Sequence, residues 1–177
     1  SPSLGTIDDC PFNDLPEDQV YEDLSEDILE QVLEEIRDSG EKVLFIMDDV
    51  VNDMKKEFHL EKLLCKVLMN RRHQCGAGGS LSVWITSQVY NKIPCPVRKC
   101  ASQLVFYETK NRAELDCLYN EVIVGLKKEE WYQLLKYVWD KKFNFLFLDS
   151  TKPFNQMYHK NFNNLHLTTE MDSQINW

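Results

Sequence analysis

The chain predicts an α/β fold, a mostly parallel sheet with flanking helices, and three observations carry that expectation. Val43-Leu44-Phe45-Ile46-Met47 is an unbroken apolar run ending in Asp48-Asp49, the composition of a strand buried on both faces. Leu81 to Thr86, Gln103 to Tyr107 and Asn144 to Leu148 are further short runs rich in β-branched, aromatic and aliphatic residues. Between these runs lie segments whose apolar residues recur at helical spacing. Strands alternating with helices describe a largely parallel sheet.

Taken in order, residues 1–20 hold three prolines and several turn formers and read as an N-terminal connector. Residues 21–150 form the expected core. Ser25 is placed to cap a helix in which Leu24, Ile28, Val32 and Ile36 repeat every four residues, with Gly40 as its stop. The Val43–Met47 strand follows. Leu60, Leu63, Leu64, Val67 and Leu68 predict a helix to Met69, ended by the polar, glycine-rich passage 70–80. The second strand runs to Thr86 and stops at Ser87-Gln88. Pro94 and Pro96 bound a turn or helix start before the third strand. Ala113 to Val124 and Glu129 to Asp140 are predicted helices, and the fourth strand ends in Asp149. Residues 151–177 have weak periodicity and are expected to pack on the core or on a neighbour.

A length of 177 residues with 43% hydrophobic content suits one globular domain. The net charge is −9, concentrated between Asp8 and Glu35, whereas Lys55 to Arg112 is basic on balance. The acidic total argues against a free-standing, tight nucleic-acid binder and leaves room for one basic surface within a ring. The six cysteines come with no signal peptide and no glycosylation sequon, so reduced thiols in an intracellular setting are the expectation. No apolar run approaches a membrane span.

The chemistry concentrates in four residues. Asp48 and Asp49 stand at the C-terminal end of a predicted parallel strand, the edge where α/β sheets bind ligands. One carboxylate there can hold Mg²⁺ through water, and a second can polarise an attacking water. A turn that happens to begin with Asp-Asp is the plainer alternative. Gln88 ends the neighbouring strand at the same edge, where an amide can orient water or touch a γ-phosphate. Arg98 follows two stiffening prolines. It can stabilise a phosphoryl group across a subunit boundary, although a surface arginine is its simpler reading. Cys65, His73, Cys75, Cys95 and Cys100 contain no C-x-x-C pair, which disfavours structural zinc. Gly76 to Ser80 precedes a strand and has no lysine, so it is not a phosphate-binding loop.

The order Val43–Asp49, then Asn70-Arg71-Arg72-His73, then Ser82-Val83-Trp84-Ile85-Thr86-Ser87-Gln88, Tyr90-Asn91-Lys92-Ile93-Pro94 and Arg98 resembles the poxvirus-type genome-packaging ATPases, as does the closing Tyr158-His159-Lys160-Asn161-Phe162. These ATPases belong to the FtsK–HerA group of P-loop motors found in large DNA viruses and virophages. The resemblance spans roughly residues 20–165 and implies a RecA/FtsK–HerA-like core. It implies a homo-oligomeric ring that hydrolyses Mg²⁺-ATP and drives double-stranded DNA into a capsid, with capsid proteins as partners. The implied setting is the host cytoplasm, a viral factory or the virion. Position by position, Asp48 is similar to the Mg²⁺-side Walker B acid, Asp49 to the catalytic acid, Gln88 to the sensor and nucleotide contact, and Arg98 to an arginine finger. Related motors often carry Glu as the second acid; here it is Asp.

The departure is the Walker A motif. None of the six glycines begins a G-K-S or G-K-T run. Without that lysine and its cradle of backbone amides, this chain by itself is expected to turn over little or no ATP. An alternative of another class is a non-catalytic pseudo-ATPase remnant serving as a protein-interaction subunit through its acidic helix.

Overall fold

The computed structural model describes residues 12–56 and 58–167, and the chain divides into two compact units between Cys100 and Ala101. The first unit contains α1 (Glu26–Ile36), β1 (Lys42–Asp48), α2 (Val51–Lys56), α3 (Phe58–Met69), β2 (Ser80–Thr86) and α4 (Cys95–Lys99). Ser25 caps α1, its Oγ accepting from the Ile28 amide at 3.3 Å. The helix ends at Ile36, ahead of Gly40, because Asp38 already turns the chain with a φ of 57°. Gly40, at φ 72°, instead sends its amide to the Cys75 carbonyl at 2.7 Å and so aligns the start of β1. Helix α2 was not expected from the sequence.

β1 and β2 pair in parallel, from Lys42 opposite Ser80 to Asp48 opposite Thr86. Their crossover packs one face of the pair. Leu29, Met47, Val50, Met54, Leu60, Leu64, Leu68 and Val97 form its core, with Phe45, Val83 and Ile85 against them. The opposite face is open: Leu44, Ile46 and Trp84 are exposed. The expectation of a strand buried on both faces is thereby corrected. The apolar run is continuous, but only one layer of helices covers this pair among the described residues.

The second unit holds β3 (Gln103–Tyr107), α5 (Arg112–Val122), α6 (Lys128–Val138), β4 (Phe145–Asp149), β5 (Tyr158–Lys160) and β6 (Asn163–Asn164). Its sheet has the order β3-β4-β5-β6, and every pairing is antiparallel. The mostly parallel sheet expected from strand–helix alternation is therefore not what the described strands form: one parallel pair and one antiparallel sheet. The cause lies in the connections. Two helices of 11 residues each, α5 and α6, separate β3 from β4 and carry the chain back antiparallel, whereas the short α2 followed by α3 leaves β1 and β2 parallel. Short loops then join β4, β5 and β6, which suits antiparallel neighbours.

Residues 151–167, expected as a tail, supply β5 and β6 to this sheet; residues 168–177 and 1–11 of the connector lie outside the described residues. Asn161 locks the edge. At φ 55°, its Oδ1 accepts from the Phe145 amide and its Nδ2 donates to Asn144 Oδ1, both at 3.0 Å. Asparagine tolerates this left-handed backbone better than most residues. Helix α6 packs on β4, and Trp139 just beyond it donates from Nε1 to the Phe106 carbonyl at 3.1 Å.

Tyr158 is fully buried on β5 and donates its hydroxyl to the Val124 carbonyl at 3.3 Å. Burial pushes its pKa up to about 12, against an unfolded value near 10. The folded state therefore favours the protonated phenol. The resulting stability is fully present below about pH 10 and is lost as pH rises through about 12, on the order of 2–3 kcal/mol in all. Tyr158→Phe is expected to flatten the fall in stability over that window, at a cost near neutrality of about 1 kcal/mol for the lost hydrogen bond. Denaturant titrations across the alkaline range check this; an unchanged pH slope would contradict it.

Candidate catalytic edge at Asp48, Asp49 and Gln88

The C-terminal edge of the β1–β2 pair brings together three of the four residues singled out from the sequence. Asp48 and Thr86 are the last register partners of the ladder, and the Thr86 hydroxyl donates to Asp48 Oδ1. The Asp49 amide continues the ladder to the Thr86 carbonyl at 3.3 Å. Gln88 Nε2 donates to Asp49 Oδ2 at 3.1 Å. Asp48, Asp49, Thr86, Ser87 and Gln88 line an open cleft of about 260 Å³.

Backbone conformation explains how two consecutive acids share one cleft. In an extended strand, neighbouring side chains point to opposite faces. Asp49 instead takes φ 52°, a left-handed turn that ends the strand. Aspartate and asparagine enter this region several-fold more often than other side-chain-bearing residues, because their short polar groups bond locally. Asp49→Asn is therefore expected to keep stability within about 0.5 kcal/mol, whereas Asp49→Glu should cost about 1 kcal/mol for the left-handed backbone. Thermal melts of both variants check this, and equal stability of the two would contradict it.

Ser87 shapes the turn that presents Gln88. Its Oγ accepts from the Val89 amide at 3.2 Å and donates to the Val89 carbonyl at 3.1 Å. Thr86 and Ser87 were not picked out as site residues from the sequence. The signal that could have found Thr86 is the parallel register, which sets the last residue of one strand beside the last of the other.

Arg98 is not among the residues lining this cleft. Its Nη1 donates to the Ile93 carbonyl and, at 3.2 Å, to the Asn91 carbonyl, and its guanidinium lies 5.2 Å from the Tyr90 ring centroid. These contacts tie α4 to the 3₁₀ turn Tyr90–Lys92 before it.

Other candidates carry less chemistry. A groove of about 370 Å³ runs between α1 and α3. Its charged groups are long side chains at the solvent boundary, and Arg37 is already paired with Glu34 of its own chain segment at 2.8 Å. Asp149, at the end of β4, is buried. Burial works to raise its pKa, but hydrogen bonds from the Thr151 hydroxyl and amide, at 2.6 and 3.0 Å, prevail and hold it below the usual carboxylate value. That carboxylate caps its own turn. Among the described residues no three His, Cys, Asp or Glu side chains form a metal-binding group, and no helix is long and apolar enough to cross a membrane.

Oxygen donors dominate the cleft, which suits a hard cation. Mg²⁺ keeps several waters and takes one or two carboxylates, so the pair of acids fits it without a cage of ligands. Among the described residues no lysine lines the cleft to meet phosphates. No protein-family model, curated protein or solved structure matches the chain.

Proposed function

We propose that this cleft is the Walker B and sensor half of an ATP-hydrolysing site, and that the protein is the matching part of a ring-forming motor that drives double-stranded DNA into a viral capsid. The convergence of Asp48, Asp49 and Gln88 at the C-terminal edge of a parallel strand pair carries the reading. In this reading Asp48 holds hydrated Mg²⁺, which would neutralise charge on ATP phosphates. Asp49 accepts a proton from the attacking water, and Gln88 orients that water and contacts the nucleotide. Arg98 reaches the site of the neighbouring subunit. A RecA/FtsK–HerA-like core adds the strand, lysine and helix of Walker A, and the open face of Leu44, Ile46 and Trp84 is apolar as a covered sheet face requires. Capsid proteins and DNA are the proposed partners, in the host cytoplasm, a viral factory or the virion.

The test is Mg²⁺-ATP turnover by the chain alone and by the chain mixed with a polypeptide supplying a Walker A segment of this family. Turnover is expected only in the mixture. Hydrolysis by the pure chain, abolished by Asp48→Ala, would overturn the reading of an incomplete site.

A second reading, a non-catalytic interaction subunit, is favoured by one observation. Asp27, Glu30, Glu34 and Glu35 are exposed along α1, a surface suited to a basic partner. Mixtures that bind a partner yet never turn over ATP would select it.

A further inference from the structure

We propose that Thr86 is the positioning residue of this site, fixing both acids and linking them to the turn that carries Gln88. The inference rests on the reading of the cleft as a cation site and adds to it a residue that neither the strand-end acids nor Gln88 implies.

Two bonds to the acidic pair meet at Thr86. Its hydroxyl donates to Asp48 Oδ1, and its carbonyl accepts from the Asp49 amide at 3.3 Å. The chain then passes directly into the Ser87 turn that aims Gln88, whose amide returns to Asp49 Oδ2 at 3.1 Å. The side chain of one residue thus holds the Asp48 carboxylate, and its main chain holds the backbone of Asp49. A hydroxyl has a single proton, and spending it on Oδ1 fixes the plane of the Asp48 carboxylate. Hydrogen bonds to ionised acceptors are roughly twice as strong as neutral ones, so this orientation is not lost to thermal rotation as a free carboxylate's would be. Threonine is suited to the task because β-branching stiffens its χ1. Asp48 is half-buried and Thr86 is exposed at the edge, so the bond sits at the mouth of the cleft rather than in the core. Its removal should change the aim of the acid more than the stability of the fold.

The consequence concerns the cation directly and needs no nucleotide. A carboxylate held in one orientation loses less freedom when a hydrated cation binds, so Thr86 should raise cation affinity without contacting the ion. It would act through Asp48.

The test is Mn²⁺ binding to the full chain, followed by water-proton relaxation at near-physiological salt to screen the acidic surface. Wild type is compared with Asp48→Asn, Thr86→Val and Thr86→Ser, and metal-free melting curves accompany each. Asp48→Asn is expected to remove the site's Mn²⁺ signal. Thr86→Val, which keeps the shape and deletes the donor, should weaken binding about tenfold, within the range seen for groups that orient metal ligands. Thr86→Ser, which keeps the donor on a looser side chain, should stay within about threefold of wild type. Rescue by serine separates positioning from packing, because a packing role would follow the lost methyl. If Thr86→Val does not fold, Thr86→Ala at this exposed position carries the same comparison. Loss of binding in Asp48→Asn with none in Thr86→Val would overturn the inference and leave the cation site standing. No effect of Asp48→Asn would overturn the cation site itself, and the inference with it.

Discussion

Trp131→Ala is expected to remove about 3–5 kcal/mol of stability from the second unit, the range for truncating a fully buried large aromatic. Trp131 is fully buried on α6, in line with Leu134, Leu135 and Val138, and α6 packs on β4 with Leu146 and Leu148 at zero exposure. Alanine would leave a cavity that stiff neighbours on a helix and a strand cannot close. Small domains hold only about 5–15 kcal/mol in total, so this loss threatens folding at physiological temperature. The indole is not tuned perfectly: its Nε1 is buried without a hydrogen-bond partner. Trp131→Phe should therefore cost much less than the alanine change, because part of the lost area is offset by relief of an unsatisfied donor. Denaturant titrations of the two variants check the ordering. A Phe variant as unstable as Ala would show that the indole makes a contact beyond burial.

Asp48→Ala is expected to have the largest functional effect. With the Walker A complement present, Mg²⁺-ATP affinity should fall on the order of 100-fold, about 2.7 kcal/mol, because among the described residues Asp49 is the only other carboxylate lining the cleft. Asp49 is engaged with Gln88 and held by a left-handed backbone, so it cannot swing into the vacated place without breaking that geometry. Stability should change little, since Asp48 lies at the rim of the first unit's core rather than within it. Calorimetric titration and a melting curve on the same sample separate the two effects. Unchanged affinity in a folded variant would remove Asp48 from the site.

Much of the local structure was legible because the physics that makes it is local. Apolar residues every three or four positions identified α1, α3, α5 and α6, and Val43–Met47 identified β1. Ser25 capped the predicted helix because a hydroxyl before acidic first-turn residues needs no tertiary help. Strand direction was different. Both helices between β3 and β4 were read, but helix count does not fix direction: α5 and α6 lead to an antiparallel partner, whereas α2 and α3 lead to a parallel one. The open face of β1 was also illegible, since Leu44 and Ile46 carry no mark of whether a second layer covers them.

The site followed the same division. Asp48, Asp49 and Gln88 fell at strand ends, and the ends of adjacent parallel strands meet by register, so their convergence was readable. Two features were not. The left-handed φ at Asp49 is a conformational choice, yet it accounts for aspartate where longer glutamate would be strained. The partners of Arg98 within its own chain, the carbonyls of Asn91 and Ile93 and the Tyr90 ring, were the second. A long flexible cation takes the closest acceptors available, and sequence spacing does not say which those are.

The central claim is that the Asp48–Asp49–Gln88 edge is a sound half of a nucleotide site. Calorimetric titration of Mg²⁺-ATP tests it most directly, into this chain alone and into this chain mixed with a polypeptide carrying the Walker A strand, lysine and helix. Binding confined to the mixture, and lost with Asp48→Ala, is the predicted result. No binding in either sample, with both components folded and associated, would contradict it and select the non-catalytic interaction subunit.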